Sequence, residues 1–187
     1  MGASNYFILP IQTNYLLSTL DKDLKNATKV AWLGAIQQYA TSVQIEQAHP
    51  NIKNYYFDRF TQNNTDKRTH IWDINEEGWG NRFKQEGFQI LTMFRMTIFA
   101  QNKEKLLNEI VDFLVGTNNL VVYEEIIYPN SGEIHEFGVV ANGELVKVPN
   151  VSVLDKLHEK FNLSNLIEYK TLPPASCQCK IMTLRKK

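Results

Sequence analysis

Between Thr13 and His49 the apolar residues fall mostly four apart: Leu16, Leu20, Leu24, Ala27, Ala31, Ala35, Tyr39 and Val43. Such spacing buries one stripe of a helix, so this part is expected to be helical. Thr13 or Asn14 would cap its start, "LKNAT" offers a break at Asn26, and Pro50 would end it. The aromatic "NYYFDRF" follows, then "TQNNTDKRT", which holds no apolar residue and reads as an exposed loop.

The period changes after Gly87. "FQILTMFRMTIFA" is rich in branched and aromatic residues and reads as a buried strand. Asn102 then caps the helix "KEKLLNEIVDFLVG", with Leu106, Leu107, Ile110, Val111 and Leu114 on one face and Gly116 placed for a left-handed C-terminal residue. "LVVYEEIIY", "EIHEFGVV" and "ELVKV" are three strands divided by the turn signals "PNSG" and "ANG", an expected antiparallel meander. Ser152 with Asp155 marks a second helix carrying Leu154, Leu157 and Phe161, and a last strand falls in "LIEYKTL" or "CKIMTL".

This order predicts a ferredoxin-like antiparallel α+β sandwich over about residues 88–185, with one extra hairpin strand and a helical N-terminal part appended. The expected division is 1–60 helical, 61–87 exposed loop and short strand, and 88–187 sandwich, together one compact domain. Helices 103–115 and 152–162 should lie on a single face of the sheet.

Composition changes this picture little. With 43% hydrophobic and 11% aromatic residues the 187-residue chain can bury a sizeable core. Its 20 basic residues balance 20 acidic ones, so general nucleic-acid binding is disfavoured, for want of the basic excess that phosphate backbones attract. No apolar run nears the roughly 20 residues of a membrane helix, and no signal peptide is legible, so a cytoplasmic protein is expected. Richness in Asn, Lys and Ile points to an AT-rich genome, that of a bacterium, a phage or another virus.

"HIWDINEEGWGNRF", from His70 to Phe83, is the densest stretch of functional residue types. His70, Asp73 and Glu77, joined by the distant His135, could serve as acid/base or phosphoesterase residues. "HIW" and "HEF", however, lack the hydroxyl of the His-X-Thr/Ser pattern that two-histidine phosphoesterases use. Alternation in "HIWDIN" instead suggests a half-buried strand with Trp72 in the core. Trp79, between two glycines and beside charges, is expected to be exposed. With Glu76, Arg82 and Phe83 it would form a recognition surface, since Trp and Arg dominate interface energetics.

Other motifs carry less. Cys177 and Cys179 form a C-x-C pair too small for a zinc site, so a metal there is a weak alternative to incidental thiols. No glycine-rich nucleotide motif or nucleophile elbow occurs, and no cofactor is expected. Glu124 and Glu125, adjacent on a strand, point to opposite faces and cannot act as a pair. The reading favoured by the sequence is a non-enzymatic protein-interaction module: an inhibitor, immunity, adaptor or assembly subunit. Its partner would be another protein, with a homo-oligomer as one form of this. The alternatives are a small hydrolase or phosphoesterase using His70 and His135, and a small-molecule sensor.

Overall fold

The computed structural model describes residues 10–35, 40–59, 67–127, 134–141, 144–149, 151–171 and 177–187, with backbone alone at 40, 134–141 and 144–149. The "PNSG" and "ANG" turns and most of "TQNNTDKRT" therefore lie outside the described residues.

The N-terminal stripe is helical only as far as Asn26. Short helices α1 (Pro10–Asn14) and α2 (Asp21–Lys25) flank a π-helical turn at Tyr15–Thr19. Leu16, Leu20 and Leu24 are buried on it, and Asn26 ends it. Beyond that point the single expected helix gives way to strand β1 (Lys29–Leu33), helix α3 (Ala40–Ala48) and strand β2 (Lys53–Asp58). β1 is buried on both faces, Val30 and Trp32 toward one core and Ala31 and Leu33 toward the other. A strand covered on both sides reads as a continuous apolar run without alternation. The four-residue spacing of Ala27, Ala31 and Ala35 imitated a helix there by coincidence.

The rest of the chain comprises β3 (Thr69–Ile71), α4 (Trp79–Gln85), β4 (Ile90–Met93), α5 (Lys103–Leu114), β5 (Leu120–Ile127), β6 (Ile134–Ala141), β7 (Glu144–Pro149), α6 (Leu154–Lys160), β8 (Phe161–Lys170) and β9 (Gln178–Lys186). Among the described residues, seven strands form one sheet in the order β3-β2-β1-β4-β5-β9-β8, and β6 pairs with β7 in a separate antiparallel ribbon. β3, β2, β1, β4 and β5 run parallel, while β9 is antiparallel to both β5 and β8.

The ferredoxin-like antiparallel sandwich is thus incorrect. Strand β4, helix α5 and strand β5 form a parallel crossover unit, and β1 and β2 complete a parallel core within residues 1–60, the part expected to be helical. The expected meander is not formed either, since β5 pairs with β4 and β9 and not with β6. α5 and α6 do share one face of the sheet: Leu106, Leu107, Ile110 and Phe113 pack in the same core as Val153 and Leu157. The N-terminal helices and α3 cover the other face through Tyr15, Leu16, Leu20, Leu24 and Ile45.

The capping of α5 holds as read, whereas α6 starts at Leu154 after Val153 without the side-chain cap expected from Ser152 and Asp155, and α1 starts at Pro10, ahead of Thr13 and Asn14. The Asn102 side chain accepts the Lys105 N–H at 3.0 Å, and Gly116 adopts φ 75° after α5. Helix α4 has no capping side chain of its own, because Gly78 precedes it with φ 77°. Buried Glu109 on α5 supplies the cap instead, accepting the Gly78 N–H at 2.6 Å and the Gly80 N–H at 2.8 Å.

Candidate functional site at the carboxyl ends of the parallel strands

Five parallel strands deliver their carboxyl ends to one edge of the sheet. Connections from β1 lead toward β2 on one side, and those from β4 toward β5 on the other. An open α/β sheet forms its ligand crevice at such a reversal point. The rim here is Gly34-Ala35 after β1 and Phe94-Arg95-Met96 after β4.

Gly34 turns the chain sharply at φ 82°, and its N–H and that of Ala35 both donate to the Phe57 carbonyl, at 2.6 and 3.1 Å. A Cβ at this position would also overlap the Met96 side chain, so glycine is demanded by both backbone and packing. Asp58, the last residue of β2, follows Gly34 by about two dozen residues and is buried at the same edge. In nucleoside-binding α/β folds an acid in this position accepts the ribose hydroxyls.

Around the edge, the two glutamates of β5 face opposite ways, as alternation requires. Buried Glu124 faces the N-terminal helices. It accepts Gln12 Nε2 at 2.9 and 3.0 Å, the Arg95 N–H at 2.7 Å, and the Tyr169 hydroxyl. Burial raises its pKa against the pull of these donors, and burial pushes the nearby Cys179 thiol up to about 11. Glu125 faces α6 and accepts the Val153 N–H at 2.6 Å and the Ser152 hydroxyl at 3.0 Å. Lys103 donates to the Thr97 carbonyl, and burial draws its pKa down to about 8, opposed by Glu125.

Lys103 offers a test of this edge. It binds its proton less tightly when folded than at the ordinary lysine value of 10.5. Between about 8 and 10.5 the unfolded chain holds more protons, so this residue makes stability rise with pH across that window. Cys179 acts in reverse above its ordinary value of 9, because the folded thiol retains its proton. The wild type should therefore gain on Lys103→Met by about 1 kcal/mol from pH 8 to pH 10.5, the partial exposure of Lys103 reducing the full linkage. Urea unfolding of both proteins at each pH checks this, and a constant difference would refute it.

The residues singled out from the sequence lie elsewhere. Trp79 and Phe83 are buried in the core, which corrects the expected exposure of Trp79, whereas Trp72 is core as expected. Glu76 and Arg82 are exposed, the Arg82 guanidinium 5.5 Å from the Phe83 ring centre. His70 is exposed on edge strand β3 and stacks on Phe57 at 5.2 Å, while His135 belongs to the separate β6–β7 ribbon. Asp73 accepts the Asn75 backbone N–H at 2.9 Å and Glu77 pairs with Lys105 at 2.9 Å. The Asn75 side chain donates to the Phe99 carbonyl at 3.2 Å, so this group braces the loop after β3 against the loop after β4. Cys177 and Cys179 are buried and form no disulfide, and no cluster of three or more metal-ligating side chains occurs among the described residues. No helix among them is long and apolar enough to cross a membrane.

No family model matches the sequence, and no curated protein matches it. Solved structures do. The 1,6-didemethyltoxoflavin-N1-methyltransferase of Burkholderia thailandensis, with bound 1,6-didemethyltoxoflavin and S-adenosylhomocysteine, superposes with a TM-score of 0.59 at 12% identity over 94% of this chain and 78% of its own. The S-adenosylmethionine-dependent methyltransferase SibL gives 0.50 at 14% identity over 95% of this chain, which spans 55% of SibL.

The fold is that of S-adenosylmethionine-dependent methyltransferases.

The methyltransferase fold also matches the [4+2]-cyclase SpnF, with a TM-score of 0.55 at 9% identity over 90% of this chain and 80% of that one. Shared architecture at such identities fixes the fold and leaves the chemistry to the site. The solved structures compared above are methyltransferases and a cyclase, and on that finding the expected non-enzymatic interaction module is corrected. Sequence reasoning missed Gly34, Asp58 and Arg95. Its available signal was Gly34 directly after the apolar run "VAWL" and Asp58 directly after "YYF", acid and glycine each closing a strand.

Proposed function

We propose that the chain binds S-adenosylmethionine at the β1/β4 crevice and transfers its methyl group to an acceptor. The observation that carries this is the reversal point of the methyltransferase fold with the Gly34 turn and Asp58 side by side on its edge, Leu33 of β1 in register with Phe57 of β2. When bound, S-adenosylmethionine supplies an electrophilic methyl on a positively charged sulfur.

The residues fit a nucleoside without phosphate. A dinucleotide turn needs G-x-G-x-x-G so that the backbone can approach a pyrophosphate. Counting from Gly34, the second and third glycine positions hold Ile36 and Tyr39. That departure argues against a dinucleotide and leaves the ribose contact to Asp58. A cytoplasmic setting goes with this reading, supported by two cysteines that form no disulfide.

Isothermal titration with S-adenosylhomocysteine tests it. We expect a Kd below about 100 μM, equivalent to roughly −5.5 kcal/mol. Asp58→Ala should weaken binding by about tenfold or more, the loss of a charge-assisted hydrogen bond pair. Absence of binding by both S-adenosylhomocysteine and S-adenosylmethionine at millimolar concentration would remove the proposal.

A further inference from the structure

Strand β4 ends at Met93, and the chain turns at once through Phe94, Arg95 and Met96. Arg95 stands in the left-handed region at φ 57°, a conformation that costs energy for a residue with a Cβ. Such strain persists where surroundings over-determine it, and it gathers at ligand sites. The determinant here is Glu124, whose Oε2 holds the Arg95 N–H at 2.7 Å while Gln12 and Tyr169 hold the carboxylate itself.

The guanidinium is treated differently from the backbone that carries it. Half-buried at the carboxyl edge, it forms no hydrogen bond and no ion pair among the described residues. Its charge nonetheless favours the ionised forms of Glu124 and Cys179. The carboxylate of Glu124 is already occupied by four donor contacts. Phe94 packs partly buried against the same face of the sheet. A planar five-donor fork, kept unpaired among the described residues, matches the bidentate geometry of a carboxylate or phosphate.

We propose that Arg95 is a specificity-determining residue of an acceptor site at the end of β4, where it binds the carboxylate or phosphate of an anionic small molecule. This rests on the proposed function for the presence of a methyl donor in the adjoining crevice. The anion site itself stands on Arg95, whose backbone Glu124 holds in place with Gln12 and Tyr169 behind it.

The test titrates benzoate, phenyl phosphate and the neutral benzyl alcohol into the full chain at fixed ionic strength, with and without S-adenosylhomocysteine, by calorimetry. At least one anion should bind about tenfold more tightly than benzyl alcohol. Arg95→Gln should abolish that preference while benzyl alcohol binds as it does to the wild type. Arg95→Gly, which relieves the left-handed strain and so protects folding, should abolish it equally. Equal binding of all three probes, or a preference that survives in both variants, overturns the proposal. An anion preference lost with Arg95 in a chain that binds no S-adenosylhomocysteine would uphold the anion site and sink the methyl-donor reading.

Discussion

Trp79→Ala should destabilise the chain by about 3–5 kcal/mol, a large share of the roughly 5–15 kcal/mol that holds a domain of ordinary stability together. Trp79 opens α4 with 1% of its surface exposed. Its ring meets Trp72 edge-on at 5.6 Å and Phe83 at 6.0 Å, and Phe83 in turn meets Phe57 and Phe88 at 4.8 and 5.4 Å. Its indole N–H reaches the Ile74 carbonyl at 3.4 Å. Truncation removes the apolar burial and leaves a cavity that the surrounding aromatic rings cannot close. Urea unfolding followed by circular dichroism would measure the loss, and Trp79→Phe should recover more than half of it. A cost below about 1 kcal/mol would mean that Trp79 lies outside the core.

Gly80→Ala poses a sharper question, because two effects predict opposite signs. Helix propensity favours alanine over glycine by about 1 kcal/mol inside a helix. Packing opposes it: a Cβ on Gly80 would overlap the backbone carbonyl oxygen of Glu109 on α5, and backbone cannot rotate away as a side chain can. Relief requires α4 to draw back from α5, which also pulls the Gly78 and Gly80 N–H groups off the Glu109 carboxylate. Overpacking of this kind costs about 1–3 kcal/mol or more, and the lost cap adds about 1 kcal/mol. A net loss of about 2 kcal/mol or more is therefore expected. A raised thermal midpoint would show that the two helices are not held this closely.

The stretch from His70 to Phe83 shows how local and distant causes divide. Its glycines read as turn residues, and Gly78 is one, with φ 77°. Gly80 is there for contact with a helix 29 residues further on, a reason no local pattern carries. Some of the charges that promised a wet loop brace it, while Glu76 and Arg82 stay exposed. Asp73 holds Asn75, Glu77 pairs with Lys105, and Asn75 ties this loop to Phe99. The carboxyl-edge site was hidden for a related cause, since Gly34, Asp58 and Arg95 come from three separated segments and none belongs to a multi-residue motif.

What the sequence determined by itself is what short-range chemistry specifies. The extent of α5, its Asn102 cap and its Gly116 ending follow from hydrogen bonds and backbone angles within a few residues. The apolar faces of α5 and α6 likewise fixed that both seek the same core. Only the tertiary structure decided which strands pair and in which direction. β1 shows no alternation because it is covered on both faces, and β4 joins β1 and β5 in parallel through register with residues 60 and 30 positions away, Val30 with Ile90 and Ile90 with Leu120. Pairing of that range depends on how whole layers bury each other, and with it came the edge on which Gly34, Asp58 and Arg95 meet.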